Sequence, residues 1–166
     1  EGHTLRAAAE RYARCAISDK MAEARPWAEL LSAARARGEA AGSELEAMAS
    51  AELELTARRD RKRVETEWSE RIRRSRRRVQ TGALDLGLQL VSLWFVDLAC
   101  AAYGADDLVR NCDRAAELEA DAGIDPVRLR RAVELVEDTR ERFLLNVSED
   151  LACEALAYRL AQTLRR

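Results

Sequence analysis

Between Arg58 and Tyr103 the chain passes from a Lys/Arg-rich polar stretch into a nearly continuous apolar one without losing helical phase. From Arg58 to Arg78 there are eleven basic and four acidic residues, whereas Ala83 to Tyr103 carries only Asp85 and Asp97 as charges. Stepping by about 3.6 residues from Val64 lands near Trp68, Ile72, Ser75, Val79, Ala83, Leu86, Leu90, Leu93 or Trp94, and Asp97 or Leu98. One long helix is expected, close to 70 Å at about 1.5 Å per residue, with a wet basic half and a buried apolar half. Gly82 and Gly87 each cost it about 1 kcal/mol relative to Ala, so a kink near Thr81 and Gly82 is the alternative. A helix that long exceeds the width of a small domain, and its basic end is expected to project.

The remaining sequence has to supply partners for that helix. Two prolines, seven glycines, 48% hydrophobic residues and no alternating strand-like run predict an all-α helical bundle. The net charge of -2 conceals +7 in the basic segment and -9 elsewhere, so overall charge says nothing about nucleic acid; only the local patch can. Cys15, Cys100, Cys112 and Cys153 form no CxxC pair and His3 stands alone, which argues against structural zinc and suggests no cofactor. No signal peptide is visible, and the apolar run from Leu84 to Tyr103 is interrupted by Asp85, Gln89 and Asp97, so a cytoplasmic protein with no membrane partner is expected. The chain opens on Glu1 rather than Met, consistent with a piece of a longer protein.

Taken in order, Thr4 is a candidate N-cap for a helix through about Ile17 to Asp19, with Leu5, Ala8, Ala9, Tyr12, Cys15 and Ala16 as its apolar stripe. Pro26 can open a second helix that buries Trp27, Leu30, Leu31 and Ala34 and stops at Gly38. Ser43 and Glu46 have capping-box spacing for a restart after Gly42. A helical pair over 1–40 and a bundle over 41–166 follow. Within the basic segment, Glu67 with Arg71 and Glu70 with Arg74 have the i,i+4 order that supports an exposed helix. Gly104 closes the long helix, Asn111 and Asp113 offer caps for a short one ended by Gly123, and Asp125-Pro126 begins a helix with Leu129, Ala132, Val133, Val136, Thr139, Phe143 and Leu144 inward, ended by Asn146. The last helix starts at Ser148, with Glu149 and Asp150 favoured by the helix dipole.

Three features are candidates for function. Arg73, Arg74, Arg76, Arg77 and Arg78 could contact phosphates, though a solvated helix extension explains them as well. Asp97, in an apolar helix, must meet an Arg, a capping donor or water, since an unpaired buried carboxylate is expensive. The last helix has two apolar faces: Leu151, Ala152, Ala155, Leu156, Leu160, Thr163 and Leu164 are expected to face the core. Cys153, Ala157, Tyr158 and Ala161 form a second face, either an interface with another subunit or a surface sunk between neighbouring helices.

The segment LWFVDLACAAYGADDLVRNCDR (Leu93 to Arg114), a Pro-started helix, and FLLNVSEDLACEALAYRL (Phe143 to Leu160) together resemble the C-terminal domain of the delta-prime subunit of the bacterial DNA polymerase III clamp loader. That family shows a W-x-R-D-like patch, an N-x-D turn and an N-V-x-x-x-L-A-x-E-x-L-x-x-R-L ending. Here they correspond to Trp94 and Asp97, to Asn111 and Asp113, and to Asn146, Val147, Leu151, Ala152, Glu154, Leu156, Arg159 and Leu160. Val96 stands where the family usually has Arg, which puts the partner of Asp97 in question. The resemblance runs from about Arg58 to the C-terminus, with an Arg-rich lead-in similar to actinobacterial relatives. Leu5 to Ala36, with Arg25, Pro26 and Trp27, is similar to the connection leaving an AAA+ lid.

The resemblance implies a helical collar domain that packs with its counterparts on the ATPase and delta-type loader subunits in a five-membered ring. The AAA+ module, the arginine finger and the zinc-binding cysteines would lie upstream of Glu1, and DNA would be met only indirectly. No GxxxxGK[ST] loop is present, so a non-catalytic assembly role in sliding-clamp loading and DNA replication is the leading expectation. The alternatives are a basic helical module that binds nucleic acid through Arg58 to Arg78, and an all-α ligand-binding or regulatory domain.

Overall fold

A computed structural model describes residues 2–143, 145 and 147–165; the expected helix positions Leu144 and Asn146 lie outside them. Seven α-helices occur among the described residues, with no strand: α1 (Gly2–Ile17), the single turn α2 (Met21–Ala24), α3 (Pro26–Leu55), α4 (Arg61–Ala102), α5 (Ala115–Asp121), α6 (Pro126–Phe143) and α7 (Glu149–Leu164). Short 3₁₀ turns at Asp106–Leu108 and Cys112–Arg114 join α4 to α5. The all-α bundle expected from composition is the observed architecture.

The phase continuity between the charged and apolar halves is realised as one helix. α4 has 42 residues, about 63 Å at 1.5 Å per residue. Its second half carries Leu84, Leu88, Val91, Trp94, Phe95 and Leu98, all buried, and packs against α1, α3 and α6. By length and composition this helix could cross a membrane, yet 56% of its apolar window is buried inside the protein. α7 closes the bundle against α1, α3 and α6 with Leu156, Leu160 and Leu164. Burying a Leu or Phe side chain contributes about 1.5–3 kcal/mol, so this contiguous core is the main source of stability.

Gly82 lies on the exposed side of α4 with open space where a Cβ would sit. Gly82→Ala therefore keeps every contact and gains helix propensity, and thermal unfolding should show a stabilisation of about 0.5–1 kcal/mol.

Two expectations for the first half of the chain fail for one physical reason. The helix begun at Pro26 does not stop at Gly38, and Ser43 is no N-cap; α3 runs unbroken through both, across residues 40 and 41. Gly38 and Gly42 are instead buried contact points for α4. A Cβ on Gly38 would lie 2.9 Å from the Arg76 carbonyl oxygen and 3.1 Å from the Gln80 Cβ. These glycines let two long helices approach closely, a role that resembles a helix stop when the residue is read without its partner. Thr4, similarly, lies inside α1 rather than at its cap.

The basic half of α4 does leave the main core, but not alone. The C-terminal part of α3 accompanies it as an antiparallel arm, closed by the loop 56–60 and held by a separate cluster of Ala49, Val64, Trp68 and Ile72, with Leu45 and Leu53 against it. Trp68 donates its Nε1 hydrogen to Glu52 at 2.9 Å. Arg76 reaches across to Glu39 at 3.2 Å and Glu46 at 2.7 Å. Of the two expected Glu-to-Arg pairs, Glu70 and Arg74 stand 3.7 Å apart; Glu67 takes Arg63 instead, at 2.7 Å, and Arg71 lies over the Trp68 ring. Met48 and Leu55 of this arm are exposed.

The later boundaries follow their local signals. Gly104 and Gly123 adopt φ of 70° and 86° after α4 and α5, where a side chain would be strained. Asp125 accepts the Val127 amide at the start of α6, and the Ser148 hydroxyl accepts the Leu151 amide at the start of α7.

Candidate interaction surfaces

Asp97 is fully buried one and a half turns before the end of α4, where the chain must reverse. Its carboxylate accepts the Arg110 amide at 3.0 Å, the Asn111 amide at 2.9 Å and the Asn111 side-chain amide at 2.7 Å. The expected partner is thus a set of N–H donors from the following loop, with no Arg needed at Val96, which is half-exposed. Asn111 and Asp113 are no simple helix caps either. Asn111 passes the connection on by accepting Arg6 of α1 at 2.9 Å, and Asp113 takes the same guanidinium through both oxygens, at 2.6 and 2.8 Å. The Arg6 hydrogen bond is the main cause holding the exposed Asp113 carboxyl below its ordinary range. Arg6 is the member that sequence reading missed, because an exposed-looking Arg on an amphipathic helix gives no sign of a partner 107 residues away.

Trp94, three residues before Asp97 on α4, is buried and donates its indole hydrogen to Asp121 at 3.1 Å, where Arg14 also binds. The loop between α4 and α6 is therefore fastened to α1 and α4 by polar contacts at several points. Arg140 of α6 adds another tie, to Asp85 of α4 at 2.8 Å.

The second apolar face of α7 turns out to be core. Cys153, Ala157 and Ala161 are buried, and the Tyr12 hydroxyl of α1 donates to the Cys153 carbonyl. Only Tyr158 of that group is half-exposed, its ring 5.8 Å from that of Trp27. Of the two readings of this face, a surface sunk between neighbouring helices holds for Cys153, Ala157 and Ala161, and the subunit-interface reading of those three is corrected: they are buried within the bundle. Leu151 and Ala155, expected inward, are exposed. The physical reason is that α7 contacts α1, α3 and α6 on different sides, so its apolar surface is wide and its centre cannot be read from periodicity.

Burial, with the Glu149 and Asp150 charges adding to it, pushes the Cys153 thiol up to about 12. The thiolate is the reactive form. Alkylation at about pH 8 should therefore label the exposed Cys112 in the native protein and reach Cys153 only after unfolding, as peptide mass mapping would show. All four cysteines are free, and among the described residues no group of three or more His, Cys, Asp or Glu could hold a metal ion.

The five arginines considered for phosphate contact separate into two groups. Arg76 is turned into the α3–α4 seam, which removes it from any outward surface. Arg73, Arg74, Arg77 and Arg78, with Thr81, line one open groove of about 670 Å³ on α4. At its end, Glu149 is buried at the start of α7 and accepts Arg77 at 3.2 Å, Gln80 at 3.2 Å and Thr81 at 3.1 Å. A residue expected only to complement the α7 dipole thus also pins α7 to the long helix.

Comparison of the chain with protein-family models, with curated proteins and with solved structures finds no match in any of the three.

Proposed function

We propose that this chain is a non-catalytic assembly domain of a bacterial clamp-loader subunit of the delta-prime type, which joins the ATPase and delta-type subunits through helical packing during sliding-clamp loading. The observation that carries this reading is that motif residues far apart in sequence are physically connected. Asp97, Asn111 and Asp113 form one hydrogen-bonded hub with Arg6, and Trp94, three residues before Asp97 on α4, donates to Asp121. A motif that specifies a scaffold needs such a connection; a motif for chemistry would need a reacting group in a cleft.

On this reading the contact surface is not the small-residue face of α7 but the outward apolar residues beside it. Leu151 and Tyr158 lie seven positions apart on one side of α7, and the exposed Leu145 and Val147 precede it. Exposed apolar side chains on one side of a helix and just before it suit a protein partner. The whole 166-residue chain should co-elute in gel filtration with a clamp-loader ATPase subunit of the same organism. Separate elution of the folded chain from both the ATPase and the delta-type subunit would overturn the proposal.

A further inference from the structure

The groove on α4 carries an arrangement that assembly does not require. From Arg71 to Leu84 the sequence has six arginines and no acidic residue. Arg76 is consumed inside the arm, but Arg73 and Arg78 have no ion-pair partner among the described residues. Arg74 has only the 3.7 Å approach of Glu70, and Arg77, although paired with Glu149, keeps 61% of its side chain exposed. Arg73 with Arg77 and Arg74 with Arg78 are like-charged i,i+4 neighbours, a spacing that destabilises a helix unless something else neutralises them. The helix holds four guanidinium groups along one open groove at that cost.

We infer that Arg73, Arg74, Arg77 and Arg78 form a docking face for the phosphate backbone of a nucleic-acid duplex. Guanidinium forks match phosphate oxygens in pairs, and four on consecutive turns of one unbroken helix can follow a backbone. The face has no aromatic on which to stack a base, since Trp68 is buried and hydrogen-bonded to Glu52, so a single-strand platform is disfavoured. A lipid surface is disfavoured as well: the apolar side of this part of α4, Val64, Trp68 and Ile72, is covered within the arm and cannot enter a membrane interface. The contact would be independent of base sequence, and it rests on different residues from the assembly reading, so either can fail without the other.

The test is fluorescence anisotropy of the whole chain with a labelled mixed-sequence DNA duplex of roughly 20 base pairs, titrated across salt. Four phosphate contacts predict that affinity falls on the order of 100-fold between about 50 and 200 mM salt. The variant Arg73→Gln/Arg74→Gln/Arg78→Gln leaves the Arg77–Glu149 tie intact and should melt like the parent; its affinity should fall only about threefold over the same range. Changing Arg130 and Arg131 of α6 to Gln should leave binding unaltered. Three results would each overturn the inference: no duplex binding at the lowest salt, an unchanged salt slope in the folded triple variant, or binding to phosphatidylserine-containing vesicles without binding to the duplex.

Discussion

Asp97→Ala should lower the unfolding free energy by about 3–5 kcal/mol, read from the shift of the urea midpoint at unchanged slope. The carboxylate is wholly enclosed, so the loss would leave the buried Asn111 amide and side chain, and the part-buried Arg110 amide, without their acceptor. Each unsatisfied buried donor costs about 1–3 kcal/mol, partly offset by no longer burying a charge. Asp97→Asn should cost less than Ala, because one carbonyl oxygen remains to accept. The damage should spread beyond the loop, since Asn111 also receives Arg6 and thereby holds α1. A cost below about 1 kcal/mol would mean that the loop finds other acceptors and that the hub is not what orders it.

Gly38→Leu should be comparably severe, about 3 kcal/mol or more, again by denaturant titration. The first atom beyond Cα would already meet the Arg76 carbonyl at 2.9 Å, and a backbone oxygen inside a continuous helix cannot swing aside. The two helices would have to separate, which also pulls Arg76 from Glu39 and Glu46. Gly42 is the internal control. A Cβ there would clash with the Arg76 side chain from Cγ to Nε, which can change rotamer only by leaving Glu39 and Glu46. Gly42→Ala should therefore destabilise, but less than Gly38→Leu because no backbone has to move. If Gly38 tolerates Leu as easily as Gly42 tolerates Ala, the close α3–α4 approach is not a determinant of the arm.

The contrast between those glycines also explains how far the fold could be read from residues. The long helix α4 was legible because its apolar stripe keeps phase across a change of composition. The starts of α6 and α7 were legible because Asp125-Pro126 and Ser148 act through the nearest turn of backbone. Gly38 was misread, and the small-residue face of α7 stayed open between two readings, because their meaning depends on a partner helix. A buried glycine and a helix-stop glycine are identical until Arg76 and Gln80 are brought beside one of them. The need for donors at Asp97 followed from burying a charge, but not their source, since loop amides carry no sequence signature. The basic segment was visible as charge; that Arg76 faces inward while Arg73, Arg74, Arg77 and Arg78 share one groove depended on where α3 lies.

We propose that this bundle assembles with a clamp-loader ATPase subunit through the outward apolar side of α7. Isothermal titration of that subunit into the whole chain, and into Leu151→Asp, tests it most directly. Leu151 is 68% exposed, so the variant should fold and melt as the parent does. The account predicts saturable binding to the parent chain and at least about tenfold weaker binding to the variant, as expected for a charge placed at an apolar contact. No binding to the parent, or equal binding to both, would contradict it.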